Sequence, residues 1–121
     1  DAGILVVNDN TVNLYVARKL LGLYGIKPVC VTSGKDAIKA VSKREFDLVL
    51  MDYMMPEMDG IEATLKIREE YPAYKDIPII AFTANAVEEA REVLLKSGMD
   101  DFISKPVKGK ELEALLRKWL H

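Results

Sequence analysis

Long apolar runs without alternation are the feature that most constrains this chain. Gly3-Ile4-Leu5-Val6-Val7 runs up to Asn8, Leu48-Val49-Leu50-Met51 up to Asp52, and Ile77 to Phe82 up to Thr83, with Pro78 near its start where a missing donor does least harm. A strand with one wet face alternates polar and apolar residues, whereas a strand covered on both faces does not. These runs therefore predict strands in a sheet sandwiched between two layers. Shorter strands are predicted at Pro28-Val29-Cys30-Val31 and Asp101-Phe102-Ile103-Ser104.

Helical spacing fills the intervals. From Thr11 to Tyr24, apolar residues recur at Val12, Tyr15, Val16, Leu20 and Leu23, and Gly25 is the expected stop. Ser33 suits a cap for a helix with Ala37, Ile38 and Val41 on its buried face. A third helix is expected from about Gly60 to Glu70 with Ile61, Leu65 and Ile67 inward, and Tyr71-Pro72 breaks it. A fourth is expected from about Ala86 to Ser97, stopped by Gly98. The last carries the stripe Leu112, Leu115, Leu116, Trp119, read as core packing. Five strands alternating with five helices predict an α/β fold, with a parallel sheet covered on both faces and right-handed crossovers.

Composition narrows the function classes. The 121 residues are expected to form one domain over 1–121. A net charge of −2 without a block of like charges argues against direct nucleic-acid binding. No apolar run approaches the roughly 18 residues that a membrane span needs, and no signal peptide opens the chain, so the expected location is cytoplasmic with no direct membrane contact. The first residue is Asp1 rather than Met, which reads as a segment of something longer. Cys30, the only cysteine, rules out an internal disulfide and is expected as a small core residue. His121 is the only histidine and the last residue, so zinc sites and Ser or Cys triads lack their parts.

In parallel sheets of this kind ligands sit beyond the carboxyl ends of the strands. Those ends carry Asn8-Asp9, Asp52, Thr83 and Lys105. Each has an ordinary structural use: Asp9 or Asn10 as a helix cap, Asp52 as a turn former, Thr83 as another cap, Lys105 as a surface lysine. Together on one rim they suit a more particular chemistry. Neighbouring carboxylates repel, which favours a cation between them, and Mg²⁺ needs only one or two protein carboxylates because it keeps several waters. A carboxylate oxygen can then attack a phosphoryl group, with the metal, an ammonium, a hydroxyl and backbone N–H groups stabilising the charge that develops.

On these residues the chain resembles a response-regulator receiver domain of two-component signalling, across essentially its whole length. The matching pieces are Ile4 to Asn10, Leu50-Met51-Asp52 with Met55-Pro56 and Asp59-Gly60, Ala81-Phe82-Thr83-Ala84, and Lys105-Pro106. The resemblance implies a flavodoxin-like fold with strand order 2-1-3-4-5. It implies Asp52 as phosphoacceptor, Asp9 as a Mg²⁺ ligand, the Met54 backbone carbonyl as another, and Lys105 and Thr83 as the groups that hold the phosphoryl. Thr83 and Phe102 are the implied switch pair, acting on the face of the fourth helix, fifth strand and fifth helix. Lys105-Pro106 is implied to be cis. A sensor histidine kinase or a histidine phosphotransfer domain is the implied donor.

The chain departs from the family at Asn8, where a second acid is usual. The trio Asp9, Asp52 and Lys105 then carries −1 in place of −2, which predicts weaker Mg²⁺ binding than in Asn8→Asp, with Asn8 reaching the ion through a water at most. Three alternatives remain at this level. A flavodoxin-like cofactor binder conflicts with the charge of Asp9, and a small aspartyl-phosphate hydrolase lacks a second acid two residues after Asp9. The third is a receiver-like interaction module that is not phosphorylated, which Asn8 alone supports.

Overall fold

Strands buried on both faces need two cores, one on each side, and that is how the chain is arranged. The computed structural model describes residues 3–52, 60–83, 98–104 and 109–120, so the helix expected over 86–97 lies outside the described residues. In chain order the elements are β1 (Ile4–Val7), α1 (Thr11–Gly22), β2 (Val29–Val31), α2 (Gly34–Lys43), β3 (Leu48–Asp52) and α3 (Gly60–Glu70). A 3₁₀ turn (Pro72–Lys75), β4 (Ile79–Thr83), β5 (Asp101–Ser104) and α4 (Gly109–Trp119) follow. All strand pairs are parallel, in the order β2-β1-β3-β4-β5.

Alternate residues along each strand feed opposite cores, as the two-residue repeat of a strand requires. Leu5, Val7, Val49, Met51, Ile79 and Ala81 pack with Ala37 and Val41 of α2 and Ala63 and Ile67 of α3. Ile4, Val6, Leu48, Leu50, Ile80 and Ile103 pack with Leu14, Ala17 and Leu21 of α1 and Leu112, Leu115 and Leu116 of α4. Trp119 rests against this second core, as the stripe on the last helix predicts, and Cys30 packs there as a partly buried residue.

Two helices present different faces from those expected. In α1 the buried residues are Leu14, Ala17 and Leu21, while Val12, Tyr15 and Leu23 are exposed. Ala17 at the centre of the contact lets the helix approach the sheet closely, and the bulkier residues lie one step round. In α3, Ile67 is inward as expected and Ile61 half-buried, but Leu65 faces solvent and Ala63 and Thr64 take its place.

The caps follow the expected chemistry. Asn10 Oδ1 accepts from the N–H groups of Val12 (2.8 Å) and Asn13 (3.3 Å), satisfying donors that open α1. Ser33 Oγ accepts from the Asp36 N–H at 3.1 Å to open α2. After α1 the chain reverses through Gly25, whose φ of 75° is a left-handed value that costs glycine little.

At the amino ends of the strands, two side chains tie loops together. The Arg68 guanidinium donates to the carbonyls of Tyr74, Lys75, Ile77 and Gly98 and pairs with Asp100 Oδ2 at 2.8 Å. The buried Tyr74 hydroxyl accepts from the Phe46 N–H at 2.8 Å and donates to the Arg44 carbonyl at 3.2 Å. Burial pushes the Tyr74 hydroxyl pKa up, so it stays protonated and able to donate.

Candidate functional site

The carboxyl ends of β1 and β3 lie side by side at the middle of the sheet. Val7 pairs with Met51, so the next step of the register sets Asn8 beside Asp52. Asn8 extends the ladder one residue beyond β1, its N–H donating to the Val31 carbonyl at 3.1 Å. By strand alternation both side chains fall on the α1/α4 face, the face of Val6 and Leu50. Each residue is 1% exposed. Asp9, one residue further on, is exposed at the start of the turn into α1.

A carboxylate at 1% exposure is costly to bury, and the four apolar residues before it in β3 supply no charged partner. Asp52 is thus the residue whose position most demands an explanation. Beside it, the Asn8 amide is oriented by its surroundings: Oδ1 accepts from the Asn10 N–H at 2.9 Å, leaving Nδ2 as the other end. That Nδ2 is buried and has no hydrogen-bond partner among the described residues.

The remaining candidates are placed in part. The backbone of Thr83 ends β4 opposite Ser104 of β5, on the same rim, while its side chain lies outside the described part of the structure. Met54, Lys105 and the Lys105-Pro106 bond lie outside the described residues. Phe102 pairs with Ala81 and packs, half-buried, against the α2/α3 core. It is therefore on the opposite face of the sheet from Asp52.

Asp9 and Asp52 offer hard oxygen donors at adjoining strand ends, which suits Mg²⁺. Among the described residues no three acidic, histidine or cysteine side chains come together as a metal cluster. A cation that keeps most of its waters does not need one. A cavity of about 430 Å³ lined by Arg18, Gly22, Ile26, Lys27 and Pro28 lies at the other end of the sheet, where α1 returns to β2, and is separate from this rim.

A family model, the response regulator receiver domain, matches residues 4–117. The chain belongs to this family. Among similar proteins, the sensor protein GacS of Pseudomonas syringae pv. syringae is 42% identical over 118 residues, covering 96% of this chain and 13% of that protein. Probable histidine kinase 4 of Oryza sativa subsp. japonica is 42% identical over 137 residues, covering 97% of this chain and 14% of that protein. The receiver domain thus spans about an eighth of the length of these relatives. In structure it is similar to the receiver domain of a sensor histidine kinase from Pseudomonas aeruginosa PAO1 that has a magnesium ion coordinated in its active-site cleft. The two share 38% identity and a TM-score of 0.87, over 98% of this chain and 96% of the other.

The receiver's site holds one arrangement that residue types alone did not reveal, the direction of the Asn8 amide. Its signal was local. An Asn two residues before a backbone N–H forms a tight turn that claims its oxygen, and the sequence Asn8-Asp9-Asn10 provides that spacing.

Proposed function

We propose that this receiver domain accepts a phosphoryl group on Asp52 from a sensor histidine kinase or a histidine phosphotransfer domain and relays the event by a change of conformation. The observation that carries this reading is the buried Asp52 carboxylate at the carboxyl end of the central strand, with Asn8 and Asp9 on the adjoining strand end. Asp52 attacks with a carboxylate oxygen. The new bond is oxygen to phosphorus, the bond from phosphorus to the donor breaks, and its electron pair leaves on the donor atom.

Asp9, Asp52 and the Met54 backbone carbonyl would hold Mg²⁺, with Asn8 reaching it only through a bound water. When bound, the ion neutralises charge on the phosphoryl oxygens. Lys105 and Thr83 hold the phosphoryl group, Lys105 through charge and Thr83 through its hydroxyl. Phosphorylation adds close to two negative charges and three acceptor oxygens. Thr83 is then drawn toward the phosphoryl, and Phe102, which has no hydrogen-bonding group, responds sterically. The domain works in the cytoplasm as a signalling component, its own residues assisting gain and loss of the phosphoryl group.

The test is incubation with acetyl phosphate and Mg²⁺, read by intact mass. One phosphoryl is expected on the natural chain, with acetate as the leaving group, and none on Asp52→Asn. A natural chain that gains nothing would make this an unphosphorylated interaction module instead.

A further inference from the structure

We infer that Asn8 is a hydrogen-bond donor to the phosphoryl group on Asp52, so that this receiver supports phosphoryl transfer with less reliance on a divalent ion than a site with an acid at position 8. The inference rests on the phosphoacceptor reading above and concerns a residue that the reading leaves with no direct role.

Three observations converge. The Asn8 side chain is 1% exposed and lies, by register, beside Asp52 on the same face of the sheet. Its oxygen is committed to the Asn10 N–H at 2.9 Å, where Asn10 in turn caps α1. Its Nδ2 is buried without a hydrogen-bond partner among the described residues.

A buried amide nitrogen carries two N–H donors and no lone pair to offer, so it suits an anionic oxygen and not a cation. Turning the amide over would present oxygen to a metal, but it would strip the acceptor from the Asn10 N–H at the first turn of α1 and set the Nδ2 donors against that N–H. The observed orientation keeps that bond and leaves the donor end, Nδ2, free among the described residues, on the residue that the register sets beside Asp52. An acid at the same position would keep the acceptor for Asn10 and set a negative oxygen where Nδ2 now sits. That favours a cation and repels an incoming phosphoryl until the cation is bound.

Asn8→Asp is the discriminating variant, because it retains both the size of the side chain and the bond to the Asn10 N–H. Two measurements are paired. In calorimetric titration with Mg²⁺ and no phosphodonor, Asn8→Asp is expected to bind roughly tenfold more tightly, the effect of one added carboxylate at close range. In acetyl phosphate with excess chelator, read by intact mass, the natural chain is expected to gain its phosphoryl roughly tenfold faster than Asn8→Asp, the loss of one donor to a charged oxygen.

Equal rates in chelator, or a faster Asn8→Asp, overturn the inference while leaving the phosphoacceptor reading intact. Equal Mg²⁺ affinities overturn it as well, since they place the side chain away from the ion's site. If neither protein gains a phosphoryl with saturating Mg²⁺, the phosphoacceptor reading fails and this inference falls with it.

Discussion

Asn8, Asp52 and the half-buried Asp101 are polar side chains with different surroundings, and each can be tested one residue at a time. Asn8 and Asp52 sit at the functional rim, whereas Asp101, at the start of β5, is a fastening. Its Oδ2 accepts from Trp119 Nε1 at 2.8 Å and Lys118 Nζ at 3.2 Å, and its Oδ1 accepts from the Phe102 N–H at 2.8 Å. Burial alone would raise the Asp101 pKa, but the bonds from Trp119, Phe102 and Lys118 outweigh it and hold the carboxyl below its ordinary value of 3.8. A carboxyl so depressed stabilises the fold above the unfolded-state pKa, and that contribution disappears as pH falls through the folded value. Asp101→Asn is therefore expected to cost about 1 kcal/mol at pH 7, and the difference from the natural chain should shrink steadily below about pH 4. Fluorescence of Trp119, the only tryptophan, during urea unfolding at pH 7 and pH 3 reads both values.

At the scale of elements, α3, β4 and the segment leading into β5 are held in register by Arg68. Five acceptors converge on one guanidinium that is 17% exposed: four backbone carbonyls and the Asp100 carboxylate. Asp100 Oδ2 also accepts from the Ile79 N–H at 2.9 Å, so the same cluster anchors the first residue of β4. Arg68→Met leaves these acceptors without donors and is expected to destabilise by about 3 kcal/mol, measured from the urea midpoint at constant slope. Arg68→Lys should recover less than half of that, because one ammonium does not span acceptors on separate loops. Neither variant should alter phosphoryl gain at Asp52 while the domain stays folded, since the cluster lies at the opposite ends of the strands.

The strands were readable in the sequence because burial on both faces is written directly as missing alternation. β3 and β5 run to the residues expected, β1 begins one residue later than its predicted run, at Ile4, and β4 begins two residues later than its own, beyond Pro78. The outward faces of α1 and α3 were not readable that way. Hydropathy marks Val12, Tyr15, Leu23 and Leu65 as core, but small Ala17 and Ala63 make the contact with the sheet, and close approach depends on size as much as on polarity. Tyr15 has another use at the surface, where the Lys19 ammonium lies 5.5 Å from its ring centre. At the rim, the positions of Asn8, Asp9 and Asp52 followed from the strand ends alone. The direction of the Asn8 amide did not, because it depends on a bond to Asn10 that residue type does not specify.

For the molecule as a whole, two cores clamp the sheet between them, and among the described residues the polar side chains buried at the ends of its central strands, Asn8 and Asp52, stand at the carboxyl rim. Each core draws on β1, β3 and β4, so β3 is covered on both faces and flanked by strands on both edges. Asp52 is accordingly held at the end of the central strand, with a neighbour on each edge and a core on each face, which suits a group that must meet a donor at a fixed angle. Phe102, on β5, packs on the far face of the sheet from Asp52, and β4 lies between their strands. The phosphoryl group is expected on residue 52 and on no other acid of the rim. Reduction of the phosphorylated protein with borohydride, which converts an aspartyl phosphate to the alcohol, followed by peptide mass mapping, locates it directly. A single reduced residue, Asp52, is the outcome expected of that assignment. Reduction at Asp9, or at several acids to similar extent, contradicts it.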